Sequence, residues 1–184
     1  MSQHGFSLIE LLIGLAIGAI VLLLVSPALA SLKESNRRDQ AAQSLYEGIR
    51  HARSLAITRN QSVVIHGING DWSQGWRIIL DISGKGPVDS RNPLLAEQAS
   101  DVRVPIVGNW AVSQYVRFSS LGQPLMPGRA FQAGTLHVCS MQEPVSQQQI
   151  VLAATGRVRL SRAKTEQALC QKAERVRSNA RAAL

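Results

Sequence analysis

Residues 11–32 form 22 consecutive positions without a formal charge, drawn mainly from Leu, Ile, Val, Ala and Gly. As a helix this run would measure ~33 Å at about 1.5 Å per residue, close to a bilayer hydrocarbon core of roughly 30 Å. A chain that begins this way is expected to hang the rest of its fold from one apolar helix. Glu10 stands at the mouth of the run and Lys33 at its far end. An ionisable group at the edge of such a segment is costly enough to imply a task.

Two local readings account for part of this pattern. "SPALA" at 26–30 ends in the A-x-A form of a secretory cleavage site. The leading "MSQHG", however, contains no Lys or Arg, and the first charge is the acidic Glu10. Ser7 and Glu10 also have the S-x-x-E spacing of a capping box, which satisfies free N–H groups at a helix start. Neither reading explains "HG" immediately before "FSLIE".

The string G-F-S-L-I-E followed by an apolar helix resembles the class III signal of type IV pilins and pseudopilins. The resemblance implies cleavage between Gly5 and Phe6 by a membrane-embedded prepilin peptidase, with N-methylation of Phe6. Glu10 matches the family's glutamate, and Pro27 matches a proline that commonly bends its helix. The leader departs from the family in carrying His4 where basic residues are usual. Within a filament of packed apolar helices an unpaired carboxylate is expensive. The new amine of Phe6 on a neighbouring subunit would supply the opposite charge, making Glu10 a registry device for assembly; capping is compatible with that role.

The net charge of +8 is uneven along the chain, since residues 155–184 hold eight basic and two acidic groups. Such a terminus favours an anionic partner, nucleic acid or lipid headgroups, although solvated tails are often basic. The two cysteines, Cys139 and Cys170, both follow the apolar run. If that part lies outside the cytoplasm, a disulfide between them is the leading reading. His137 beside Cys139 lacks the paired spacings of zinc sites, so no metal or other cofactor is expected.

Ala41, Leu45, Gly48, Ile49, Ala52 and Ala56 fall on one helical stripe, with Arg50, Arg53 and Arg59 mostly on the other side. The helix is therefore expected to continue to about Arg59 and to lie on a globular domain. After Asn60 the period changes. "SVVIHGI", "GWRIILDI", "QYVRFSS", "GTLHVCS" and "QQQIVLAATGRVRLS" read as strands, the last as one continuous strand. In it Ile150, Leu152, Ala154, Gly156, Val158 and Leu160 share one face, and Val151, Ala153, Thr155, Arg157 and Arg159 the other. Residues 81–93 read as a long loop, with Asp71 and Asp81 solvating turns.

"ARSLAITRN" running into a strand and then W-x-x-G-W is similar to the GspH/FimT group of minor pilins and pseudopilins. With the N-terminal signal the resemblance spans residues 5–160. It implies an α+β, pilin-like fold in which a long N-terminal helix packs on an antiparallel β-sheet domain. The expected organisation is a leader at 1–5, a membrane and filament-core helix at 6–32, its amphipathic continuation at 33–60, a sheet domain at 61–162 and a basic tail at 163–184. Trp72, Gly75 and Trp76 are expected to serve packing and turn geometry.

No catalytic constellation is visible. "SGKG" at 83–86 lacks the spacing and the Ser or Thr of a phosphate loop. There is no G-x-S-x-G or H-E-x-x-H, and His4, His51, His66 and His137 are scattered. The remaining chemical signal is "GRVRLSRAK" at 156–164. Arg157 and Arg159 would lie ~6.6 Å apart on one strand face, close to the ~7 Å that two phosphate steps span. Arg162 and Lys164 extend the patch, followed by Lys172, Arg175, Arg177 and Arg181 in a helical tail. An edge strand guarded by charge is the bland alternative. A G-R-x-R motif near the C-terminus, here Gly156, Arg157 and Arg159, resembles that of FimT proteins, minor pilins implicated in binding DNA during natural transformation. The expectation is an inner-membrane, single-pass subunit with its domain in the periplasm, extracellular once assembled. Its partners would be other pilins or pseudopilins, the prepilin peptidase and double-stranded DNA. The rival expectations are a structural minor pilin that primes assembly and a type II secretion pseudopilin.

Overall fold

The computed structural model of the chain describes residues 8–100 and 104–171, and their side chains except at 21–28. The Gly5–Phe6 bond, Ser7, the side chain of Pro27 and the tail at 172–184 lie outside the described residues. One helix, α1, runs from Leu8 to Arg59. The chain divides into two compact units, residues 1–37 and 38–184. In the first, the described side chains of Leu8, Ile9, Leu11, Leu12, Leu15 and Ile17 are all exposed. Glu10 lies in the first helical turn. Among the described residues no helix is long and apolar enough to cross a membrane.

In the second unit α1 is amphipathic. Ala42, Leu45, Gly48, Ile49, Ala52 and Ala56 are buried at spacings of three and four residues; Ala41 is only half-buried and Ala42 faces the core beside it. The helix ends where Asn60 takes a positive φ of 49°. Its N–H bonds to Ile57 O, and the N–H of Gln61 reaches back to Ala56 O. This is a Schellman closure, with Asn in the left-handed position.

Among the described residues nine strands follow: β1 (Val63–Ile68), β2 (Asp71–Leu80), β3 (Leu94–Ala99), β4 (Ile106–Gly108), β5 (Tyr115–Phe118), β6 (Gly134–Cys139), β7 (Val145–Leu152), β8 (Val158–Ser161) and β9 (Thr165–Glu166). They form two antiparallel sheets, ordered β3-β2-β1-β5 and β4-β6-β7-β8, with β9 pairing separately to β7. Ile65, Ile78, Val116 and Phe118 from the first sheet and Val138, Ile150 and Leu152 from the second join the buried helix stripe in one core. The α+β pilin-like expectation holds.

Two expectations need correction. The segment expected as one strand, 147–161, is a hairpin: β7 pairs with β8 through Ile150 opposite Leu160 and Leu152 opposite Val158. Asp81 does not solvate a turn. It is buried, and its Oδ2 lies 2.9 Å from Nε of Arg117 on β5. Its Oδ1 accepts hydrogen bonds from the N–H of Gly86 (2.9 Å) and Nδ2 of Asn92 (3.3 Å). The carboxylate thus organises the expected loop at 81–93 from within, and carries a short 3-10 turn at Gly86–Val88.

Candidate nucleic-acid interface

The β7–β8 hairpin closes at Ala153, whose N–H bonds to Arg157 O at 2.9 Å, while Gly156 N–H returns to Ala153 O at 2.9 Å. Gly156 is buried with φ +81°, so a side chain there would be strained as well as crowded. An added Cβ would fall 2.8 Å from Nε of Arg53 and 2.5 Å from Gly122 O. The glycine therefore shapes the turn and offers no surface to a ligand. Immediately after it, Arg157 and Arg159 are exposed, while Val158 and Leu160 pack toward the core. Arg159 lies on β8 and Arg157 immediately precedes that strand, two positions away, so the alternation of the extended chain carried back to Arg157 puts the two on one side. Among the described residues neither has a carboxylate partner. β8 is also the edge of its sheet, so the pair stands beside unpaired backbone groups.

The structure does not bring all four basic residues together. Arg162 lies three positions after Arg159 and so falls on the opposite side of the strand line. With Leu160 it lines a shallow groove of about 540 Å³ whose other wall includes Asp39, Gln43, Glu47 and Gln148. Two nearby carboxylates offset its charge. Lys164 is exposed in the link from β8 to β9.

Several contacts hold the C-terminal segment. Cys139 and Cys170 form a disulfide with Cα atoms 5.6 Å apart. Val145 and Ser146 pair with Glu166 and Thr165. His137 is also buried against the segment. Its Nδ1 lies 3.1 Å from Ser146 Oγ, whose own hydroxyl donates to Gln148 O at 3.0 Å. Nδ1 is therefore the donor of that pair. Its Nε2 accepts from Nε2 of Gln167 at 3.2 Å, because Gln167 Oε1 is used by Leu169 N–H. Both ring positions suit a neutral imidazole, and burial pushes the pKa below its ordinary value of 6.5. Gln148 continues the chain of polar contacts, donating from Nε2 to Asp39 Oδ1.

The W-x-x-G-W segment is structural. Trp72 is buried, with Nε1 donating to the carbonyls of Val112 and Ser113. Trp76 lies over Gly48 and donates to Ser44 Oγ at 3.2 Å. Sequence reading assigned Arg53 only to the polar side of the helix. The structure places it under the Gly156 turn, with Nε donating to Gly122 O at 2.9 Å. No local spacing links residues 53, 122 and 156, and Gly156 reads from the sequence as a strand residue, so the contact has no signal there. Among the described residues no group of three or more His, Cys, Asp or Glu converges as a metal-ligand set.

The profile of the family described as type II transport protein GspH matches residues 41–156. That of the prokaryotic N-terminal methylation motif matches residues 1–26. No curated protein matches the chain. Among solved structures, the type IV minor pilin FimU of Pseudomonas aeruginosa (strain PAO1), in space group P21, is similar with a TM-score of 0.55. The match covers 71% of this chain and 92% of that one at 20% identity. The same protein in space group P65 gives 0.54, covering 67% and 91% at 20% identity. This likeness is one of fold.

Proposed function

Because the chain belongs to the GspH family, and so acts as a minor pilin or pseudopilin among other pilin-like subunits, we propose that its specific task is to bind double-stranded DNA without sequence preference for uptake in natural transformation. The observation that carries this reading is the pair formed by Arg157, which ends the hairpin turn, and Arg159 on β8, both exposed and unpaired with any carboxylate among the described residues. Guanidinium groups match phosphate oxygens well and hold their charge at any working pH. Lys164, exposed in the link from β8 to β9, adds charge nearby, whereas Arg162 faces the groove with Asp39 and Glu47. The patch offers little aromatic surface for stacking, which supports backbone binding over base readout.

The same reading includes processing between Gly5 and Phe6, methylation of Phe6, and anchorage in the inner membrane with the domain in the periplasm. The match of residues 1–26 to the methylation motif supports it. So do the exposed apolar side chains of the first helical unit, a surface that needs lipid or neighbouring helices to cover it. A second reading is a type II secretion pseudopilin without DNA binding, favoured by the family's own description as a type II transport protein. A third is a structural minor pilin that primes pilus assembly, with the arginines guarding the edge of β8.

The test is a deletion strain complemented with wild type or Arg157→Ala/Arg159→Ala, scored for transformation, pilus assembly and secretion. Loss of transformation by the double variant, with pili and secretion intact, is expected. Normal transformation with defective secretion would replace this reading with the second; normal transformation with defective pili would replace it with the third.

A further inference from the structure

Arg53 is a half-buried arginine on the second-unit part of α1. Among the described residues it pairs with no carboxylate, and Gly122 O takes only its Nε. Its guanidinium carbon lies 3.4 Å from the position a Cβ of Gly156 would occupy. Two left-handed glycines, Gly122 at φ +73° and Gly156 at φ +81°, bring two separate turns onto this one side chain. The turn at 119–122 closes through Gly122 N–H to Ser119 O (2.8 Å), and that at 153–156 through Gly156 N–H to Ala153 O (2.9 Å). A buried structural clasp needs only the Nε bond. Among the described residues no hydrogen bond occupies its terminal nitrogens, which lie beside the turn of the hairpin that leads into Arg157.

From the approach at Gly156 and a Cα–Cα step of about 3.8 Å, the Cα of Arg157 lies within roughly 9 Å of the Arg53 guanidinium carbon. Both side chains therefore start close enough together to reach phosphates of one backbone, whose successive groups are about 3.4 Å apart along the axis. We infer that Arg53 is a further phosphodiester-binding residue, gripping the backbone on the opposite side of the Gly156 turn from Arg157. The inference rests on the DNA-binding reading above. Arg53 fixes the turn through Nε and offers its terminal nitrogens to a phosphate oxygen, so one side chain both positions the site and touches the ligand. Its neighbour Arg50 is differently engaged, with its guanidinium carbon 5.5 Å from the ring centroid of Tyr46.

The test compares full-length wild type, Arg53→Gln, Arg53→Lys and Arg157→Ala/Arg159→Ala in detergent micelles, titrated with a 30-base-pair duplex across a salt series. Removing one arginine–phosphate interaction reduces the slope of log K against log salt by about 0.9, which is roughly an eightfold weaker affinity at 0.1 M salt. Arg53→Gln is expected to show both effects, and Arg53→Lys to keep the wild-type slope because its charge survives. An unchanged slope in Arg53→Gln, with binding abolished in the Arg157/Arg159 variant, overturns the role of Arg53 and leaves the DNA reading standing. A lower thermal midpoint with an unchanged slope would make Arg53 a clasp only. No binding by wild type at low salt overturns both.

Discussion

The indole of Trp76 lies against the bare Cα of Gly48, where an added Cβ would come within 2.7 Å of Cε2. The ring cannot swing freely, because Nε1 donates to Ser44 Oγ one helical turn away. An alanine at 48 would gain about 1 kcal/mol in helix propensity, but crowding in a packed interior costs roughly 1–3 kcal/mol. Gly48→Ala is therefore expected to be near neutral or destabilising, and Gly48→Leu clearly destabilising. In a Trp76→Ala background the penalty at residue 48 should largely vanish. A double-mutant cycle by denaturant unfolding checks this, and additive effects would contradict the coupling.

The helix stripe was legible because a single period of 3.6 governs it: Leu45, Ile49, Ala52 and Ala56 are all buried. The central strands were legible through a period of two, as in β7, where alternate residues are buried. The hairpin at Ala153–Arg157 was not, since "AATG" has no Pro, Asn or Asp to mark a turn and keeps the alternation of a continuous strand. β3 was missed because "LLAEQA" has weak strand propensity; it lies at a sheet edge and is largely exposed. Asp81 was misread because its partner, Arg117, is distant in sequence. The split between Arg159 and Arg162 was available from parity alone, as residues three apart on a strand face opposite ways.

Acidification should destabilise the domain. Burial first lowers the pKa of His137, and burial, offset by the Gly67 carbonyl and reinforced by Arg77, lowers that of His66. Near and below pH 6.5 the unfolded chain then binds more protons than the folded one, so stability falls as pH falls. The contribution is full above the ordinary histidine value and is lost on descent through the lowered folded values. Protonated His137 would also set its Nε2–H against the Gln167 amide. Thermal midpoints between pH 7.5 and 5 should decline, and His137→Asn should decline less. A profile that rises toward acid would contradict the neutral assignment.

Removing the disulfide should loosen the C-terminal segment before the core. Cys139 and Cys170 are 31 residues apart, a loop for which cross-linking contributes about 2–4 kcal/mol. The Cys139→Ser/Cys170→Ser variant is expected to lose that stability and to exchange the amides of Thr165 and Gln167 early, while Ile65 and Ile150 remain protected. Hydrogen exchange measured by mass spectrometry checks it. Uniform loss of protection would mean that the bond supports the whole sheet.

The mature chain is expected to begin at N-methylated Phe6. Intact-mass analysis showing Ser31 as the first residue would contradict the pilin reading. Glu10→Val should be cleaved yet enter filaments poorly, because the carboxylate that meets a neighbour's amine is gone. Normal incorporation would remove the registry role of Glu10.

The central claim is that Arg157 and Arg159 bind the DNA backbone, and its most direct test is the salt dependence of duplex binding by the full-length protein in micelles. Each neutralised phosphate contributes about 0.9 to the slope of log K against log salt, so four of them would give about −3.6. Arg157→Ala/Arg159→Ala is expected to shed roughly 1.8 of that slope, equally on unrelated sequences. A variant ending at Gln171, and so lacking residues 172–184, should bind nearly as wild type. The opposite pattern, with binding kept by the double variant and abolished on truncation, would contradict the account: the tail would then be a nonspecific polycation, and the two arginines would guard the edge of β8.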